Sequence, residues 1–243
     1  MVQASKQMDL QGKIAVITGG NSGIGLAIAT ALAQAGYDLV ISGRRHSKSQ
    51  AVAEDLARRF NVQTLAVEAD VSREADCTRL IEEAVTKFET IHVLINNAGI
   101  GGGGRLAETK TEDFDRVLKT NLYGTFWCAR GAYPHMKRNQ GDPRGVIINI
   151  SSIAGKQSWS GTGTYSASKF AINGLTQALA DEGKADHIKA TAICPAVVAT
   201  PMSGVSGPDY LQAEDIAETV LYLLRLSPAA WPNEVVLERR DAS

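Results

Sequence analysis

Seven short apolar runs, most of them rich in β-branched residues, recur along the chain. They are Ile14 to Thr18, Asp38 to Ser42, Thr64 to Glu68, Val93 to Asn96, Val146 to Ile150, Ala190 to Cys194 and Glu234 to Leu237. Between them lie longer stretches whose apolar residues recur at helical spacing: Ile24 to Ala35, Ser49 to Phe60, Arg73 to Phe88, Glu112 to Lys137, Ser166 to Glu182 and Ala213 to Leu226. Runs unbroken by polar residues suit strands of a parallel sheet covered on both faces. The alternation predicts an α/β fold of βαβ units with right-handed crossovers, a doubly wound parallel sheet of about seven strands with helices on both faces. Gly36 stands where the first helix should stop.

No linker, charge block or repeat interrupts the 243 residues, so one domain spanning 1–243 is expected. With 25 basic against 26 acidic residues, the net charge of −1 argues against a general affinity for nucleic acid or for an anionic membrane. Cys77, Cys128 and Cys194 lie far apart in apolar stretches and show no metal-ligand spacing, so they read as small core residues and no metal site is expected. No apolar run reaches the ~18 residues of a membrane span. Met1 to Leu10 lacks the apolar centre of a secretion signal. A soluble protein of a reducing cytoplasm is expected.

Gly19, Gly23 and Gly25 fall at the first strand-to-helix turn. Glycines there let the backbone approach a pyrophosphate seated at the positive end of a helix. The spacing G-x-x-x-G-x-G is a weak signal alone; its place after the first strand of a βαβ series strengthens it. The second strand ends Ile41-Ser42-Gly43-Arg44-Arg45, without the carboxylate that would hold a ribose 2′-hydroxyl. Gly43 leaves room, Arg44 offers a planar donor fork suited to a 2′-phosphate, and Arg45 and Lys48 add charge. A solvated basic loop is the competing reading. The turn upstream favours phosphate recognition, hence NADP(H) over NAD(H). The glycine run Gly101 to Gly104 lacks a following lysine-serine pair and reads as a turn at the carboxyl edge of the sheet, as does the loop Pro201 to Pro208.

Tyr165 and Lys169 stand four residues apart in a helical stretch, so they share a face. A free phenol is a poor base at neutral pH. An ammonium beside a phenol favours the ionised form, which makes acid–base work accessible.

These motifs together resemble the short-chain dehydrogenase/reductase family over nearly the whole chain. Thr18-Gly19-Gly20-Asn21-Ser22-Gly23-Ile24-Gly25 matches the family's T-G-x-x-x-G-x-G, and Asn96-Asn97-Ala98-Gly99 its N-N-A-G. Asp70 and Val71 match the pair that meets the adenine, Asn121 the helix asparagine, and Ser152, 13 positions before Tyr165, the catalytic serine. The resemblance implies a Rossmann-like sheet and an NADP-preferring reductase of carbonyl or 3-oxoacyl compounds. It also implies a cofactor held by Gly19, Asn21, Ser22, Gly23, Ile24, Gly25, Arg44, Arg45, Asp70, Val71, Asn97, Ala98, Gly99, Tyr165, Lys169, Pro195, Val198 and Thr200. Tyr165 would move the proton and Ser152 hold the substrate oxygen. Lys169 would bind the nicotinamide ribose, and Asn121 would hold a water that links Lys169 to solvent. Ser151 is the lesser choice because successive strand side chains face opposite ways. Two departures stand out. Ala196 follows Pro195 where the family has glycine, and the tail Pro232 to Arg240 lacks the glycine-rich ending of acyl-carrier-protein reductases.

The expected substrate is a small carbonyl compound or alcohol, met by an apolar wall of Ile153, Trp159, Val197, Val198 and Met202, with Lys156 and Arg105 as cations within reach of an anionic group. Two other readings compete: an NAD-dependent dehydrogenase of secondary alcohols or hydroxy acids, and a non-catalytic NADP(H) sensor, which the presence of Tyr165 disfavours. Larger epimerase-type relatives need a further domain that this length does not supply. By the same resemblance a homodimer or homotetramer would form through Glu112 to Lys137 and Tyr165 to Glu182.

Overall fold

In the computed structural model, which describes residues 11–240, all seven runs become strands of one parallel sheet. They are β1 (Ile14–Thr18), β2 (Asp38–Gly43), β3 (Thr64–Glu68), β4 (Val93–Asn96), β5 (Gly145–Ile150), β6 (Ile188–Pro195) and β7 (Glu234–Leu237), in the order β3-β2-β1-β4-β5-β6-β7. The order reverses between β1 and β4, so the connections that leave their carboxyl ends run opposite ways and leave a crevice there. The segment Met1 to Leu10, read above for a secretion signal, lies outside the described residues.

The helices cover both faces: α1 (Gly23–Gln34), α2 (His46–Phe60), α3 (Glu74–Phe88), α4 (Thr111–Leu118), α5 (Gly124–Lys137), α6 (Gly163–Asp186) and α7 (Ala213–Arg225). Strand alternation sorts the core into two layers. Ala15 and Ile17 of β1 face Ile28 and Leu32 of α1 and Val220 and Leu224 of α7. Val16, between them, faces Leu80 of α3 and Cys128 and Met136 of α5. All three cysteines are buried free thiols, in keeping with their reading as core residues. Among the described residues no helix is long and apolar enough to cross a membrane.

Two boundaries differ from expectation for physical reasons. The helix expected from Ser166 begins at Gly163, because polar and glycine residues in its first turn hid it from an apolar periodicity. The rod expected over Glu112 to Lys137 is interrupted by a π turn at Lys119–Tyr123. One extra residue in a turn leaves the periodicity on either side almost intact, so the pattern does not show it.

The start of β1 is fixed to β4 by an unusual acceptor: the Ile14 amide donates to Nδ1 of His92 at 3.1 Å. A ring nitrogen that accepts must be unprotonated. Burial, aided by the Lys13 charge, pushes the His92 pKa down to about 4, against ~6.5 for an unfolded chain. Between those values the unfolded chain binds a proton that the native one refuses, so stability falls as pH is lowered through this window. Lowering the pH from 7 to 4.5 should cost about 1–2 kcal/mol at this part-buried ring. His92→Asn accepts the amide without titrating and should lose that part of the acid sensitivity; melting curves across the pH series check it, and parallel curves for the two proteins contradict it.

Candidate active site

The turn from β1 into α1 is built by close approach. A Cβ on Gly25 would lie 2.3 Å from the Gly19 carbonyl oxygen and 2.5 Å from Nδ2 of Asn97, so only glycine fits. Asn97 Nδ2 donates to the carbonyls of Thr18 (2.9 Å) and Gly19 (3.1 Å). In return Thr18 Oγ1 accepts from the amides of Asn97 and Ala98, both at 3.1 Å. The carboxyl ends of β1 and β4 are thereby clamped together at the crevice. At the start of α1, Ser22 makes no side-chain cap and no acidic residue stands in the first turn. The first amides of the helix keep their donors and their positive field. This fits a pyrophosphate.

At the end of β2 the space expected over Gly43 is taken. The amide of Asn21 donates to Ser49 Oγ (2.9 Å) and lies against Gly43, where a Cβ would come within 2.4 Å of it. Arg44 and Arg45 are exposed and without a carboxylate partner among the described residues. After β3, the Asp70 carboxylate accepts from the amide (3.0 Å) and hydroxyl (2.7 Å) of Ser72, while Val71 is buried against Gly124 of α5. The Asp70 amide donates to Asp76 at 2.9 Å, and this bond, with Arg79 beside it, holds the Asp76 carboxyl below the usual range.

The remaining site residues converge on the exit of β5. Lys169 is buried, and its ammonium donates to the Ile150 carbonyl at 2.8 Å. The same nitrogen lies 5.5 Å from the centre of the Tyr165 ring. Tyr165 is half-buried, with no hydrogen bond to its hydroxyl among the described residues. Ser152 accepts the Ala154 amide at 3.1 Å, which leaves its O–H free to donate outward. Ser151 is turned away as strand alternation required: it is buried, and its hydroxyl donates to the Lys169 carbonyl at 3.3 Å. Asn121, in the π turn, uses both amide protons and its amide oxygen. It accepts from the Ile100 amide (2.8 Å) and donates to the Ile100 carbonyl (3.0 Å) and to Ser168 Oγ (3.1 Å). Ser168 in turn donates to the Tyr165 carbonyl at 2.6 Å. The side chain thus acts as a bracket between the loop after β4 and α6, and the residue's own carbonyl accepts from Thr125 at 2.8 Å.

This arrangement coincides with a match to a family model. The model, described as short chain dehydrogenase, covers residues 13–210. The chain belongs to the short-chain dehydrogenase family. It is 37% identical over 236 residues to a farnesol dehydrogenase of Aedes aegypti, a match that spans 93% of this chain and 96% of that one. An uncharacterized oxidoreductase of Staphylococcus saprophyticus is 35% identical over 235 residues, covering 95% and 98% of the two chains. Among solved structures, an alcohol dehydrogenase from the archaeon Thermococcus sibiricus, complexed with 5-hydroxy-NADP, superposes with a TM-score of 0.88 at 28% identity over 95% of this chain and 97% of that one. A blue fluorescent protein from a metagenomic library, in complex with NADPH, also gives 0.88 at 28% identity, covering 97% and 100%.

As in the expectation for a short-chain dehydrogenase, Pro195 ends β6 and Thr200 follows it; the Thr200 methyl lies 3.5 Å from the position of a Cβ on Gly23. Val198 departs from expectation. It is buried in the core layer under α1 and α7, so its side chain forms no part of an open substrate wall. Lys156 is likewise committed, to Glu234 of β7 at 2.8 Å. Sequence reading gave no role to Thr18, Ser168 or Asn173, whose Nδ2 holds the Gly155 carbonyl at 3.0 Å. Their partners are distant in the chain, and only Thr18, inside the glycine motif, carried any signal. Thr18→Val should leave two amides of the Asn97-Ala98 turn unpaired and cost about 2–3 kcal/mol. Chemical denaturation would show this as a lower midpoint, and weaker dinucleotide binding should accompany it; an unchanged midpoint contradicts the clamp.

Proposed function

We propose that this short-chain dehydrogenase is an NADPH-dependent reductase of ketones or aldehydes, acting reversibly on the corresponding alcohols, in a single dinucleotide-binding and catalytic domain. The observation that carries the reading is the grouping at the exit of β5: an unbonded phenol, a serine hydroxyl with its proton free, and a buried ammonium 5.5 Å from the phenol ring. The bound nicotinamide would supply a hydride to the carbonyl carbon. The chain's own residues do the rest. Tyr165 gives its hydroxyl proton to the carbonyl oxygen, and takes one from the alcohol in the reverse direction. Ser152 donates a hydrogen bond to the same oxygen as negative charge builds on it. Lys169 sets a positive charge beside that oxygen and, with one proton committed to Ile150, keeps donors for the hydroxyls of a nicotinamide ribose.

NADP(H) rather than NAD(H) is supported by Arg44 and Arg45, two exposed guanidiniums at the end of β2 with no carboxylate beside them. The similar structures complexed with 5-hydroxy-NADP and with NADPH point the same way. The room at Gly43 no longer contributes, since Asn21 fills it. The farnesol dehydrogenase and alcohol dehydrogenase among the relatives support an alcohol–carbonyl pair as the substrate. Assembly into a homodimer or homotetramer is supported by exposed Tyr123, Phe126 and Phe170 on the rod of α4 and α5 and on α6; Trp127 instead stacks on Tyr123 at 5.4 Å and Leu179 packs inward.

Tyr165→Phe keeps the ring and removes the proton. It should lower kcat/KM in NADPH oxidation with a ketone panel by about 10²–10⁴-fold; near-normal turnover defeats the proton-donor role. Arg44→Ala should weaken NADPH binding about 10- to 100-fold and NADH binding little. Fluorescence titration with both dinucleotides measures the ratio, and equal losses mean that Arg44 does not read the phosphate.

A further inference from the structure

Four of the nine large apolar side chains exposed among the described residues lie on loops at the carboxyl edge around Tyr165: Leu106, Trp159, Val197 and Met202. They come from three separate connections, after β4, β5 and β6, the three neighbouring strands beside the crevice. Their exposure is large, at 67% for Leu106, 65% for Met202 and 48% for Trp159. Apolar side chains grouped in this way on a soluble surface mark a binding face.

The turns that carry them are pinned, so the exposure is built in. The Trp159 amide donates to Thr162 Oγ1 at 3.0 Å, and that hydroxyl donates back to the Trp159 carbonyl at 2.9 Å. Ser203, next to Met202, donates to the Val198 carbonyl at 2.7 Å. The Gly104 amide donates to the Gly161 carbonyl at 2.9 Å, which joins the loop of Leu106 to the turn of Trp159. Leu106 itself leans on Gly163, two residues before Tyr165: a Cβ there would come 2.7 Å from its Cδ2. Three connections at the carboxyl edge that bears Tyr165 therefore present apolar side chains from pinned turns.

Apart from Lys169 at the reaction centre, the cations read near the cleft offer an anionic substrate little. Of the two cations that sequence reading set near the cleft, Lys156 is paired with Glu234. Arg105 alone is left, on an exposed outer turn.

On the reading of the site given above, we propose that the substrate carries its carbonyl or alcohol near one end of an uncharged aliphatic chain of several carbons, and that Leu106, Trp159 and Met202 select it by that chain. Each added methylene moves from water onto this wall. The specificity constant should therefore climb about two- to fourfold per methylene, until the wall is covered.

The experiment is NADPH oxidation with 2-alkanones from 2-butanone to 2-undecanone, alongside a keto acid of matched length with its carboxylate at the far end. The expected result is a rising series for the ketones and a lower value for the keto acid. Leu106→Gln, Trp159→Gln and Met202→Gln should each cut the ratio of 2-undecanone to 2-butanone about fivefold or more. Met202→Leu should restore that ratio, and Tyr222→Gln, on α7 away from the cleft, should keep it. A flat series with measurable turnover overturns the selection by chain and leaves the reductase reading standing; a keto acid preferred over the ketones does the same and gives Arg105 the role of anchor. With no turnover of any compound, calorimetric binding of 2-undecanol and 2-butanol to the protein separates the two ideas. Tighter binding of the longer alcohol, lost in Leu106→Gln, keeps the wall and sinks the reaction; equal or absent binding sinks the wall as well.

Discussion

The buried ammonium of Lys169 organises the candidate site of this molecule. Lys169 lies on α6 and reaches the last carbonyl of β5, 2.8 Å away, just before the chain turns into Ser151 and Ser152. An ammonium removed from water is costly unless it is hydrogen-bonded, so the bond fixes both the rotation of α6 and its height against the sheet. Two further links run between the same elements: Ser151 to the Lys169 carbonyl, and Asn173 to the Gly155 carbonyl. The helix that carries the phenol and the strand exit that carries the serine hydroxyl are thereby joined as one body. A neutral carbonyl leaves the charge of Lys169 uncompensated, and the charge is available to whatever negative oxygen enters the site.

Behind that body, buried amides hold the sheet at the level of the crevice. Asn96 donates to Asn149 at 2.9 Å, and Asn149 donates to Thr176 of α6 at 2.8 Å. Asn96 Oδ1 is left without a partner among the described residues, but the bonds that are made in this buried place specify one arrangement. Here the arrangement sets β4, β5 and α6 in register, and through them the clamp of Thr18 and Asn97 on one side and the proposed catalytic group on the other. The π turn belongs to the same scheme: it brings Asn121 to Ile100 and to Ser168, so the loop after β4 is tied to the turn of α6 that bears Tyr165.

The strands were legible because a doubly wound sheet buries both faces, and burial writes itself as uninterrupted β-branched runs such as Ile14 to Thr18. Tyr165 and Lys169 were legible because four residues in a helix is a local distance. The 13-position spacing to Tyr165 and strand alternation together separated Ser152 from Ser151, and the hydroxyl of Ser151 does point back to α6. What local patterns could not carry is contact between distant segments. Asn21 lies over Gly43, 22 positions away, which turned an expected opening into a filled space. The amide of Asn121 is spent on Ile100 and Ser168. Val198 follows a strand end as a wall residue would, yet a parallel bridge to Leu211 draws its backbone down, and its side chain joins the core.

The division of labour in the site follows from the same distinction. On the proposed reading, the groups that would meet a reacting oxygen sit on α6 and at the exit of β5, where buried bonds fix them. Groups that need only offer area sit on the three rim connections, held at single hydroxyl pins such as Thr162 and Ser203. A change of rim side chain leaves the bond of Lys169 to its carbonyl in place, because the side chains of Leu106, Trp159 and Met202 take no part in it. That independence lets one rigid reaction centre serve many substrates across a family, each chosen by loops. In this chain the exposed rim residues are leucine, tryptophan, valine and methionine, and the proposed uncharged chain of carbons matches them in chemistry.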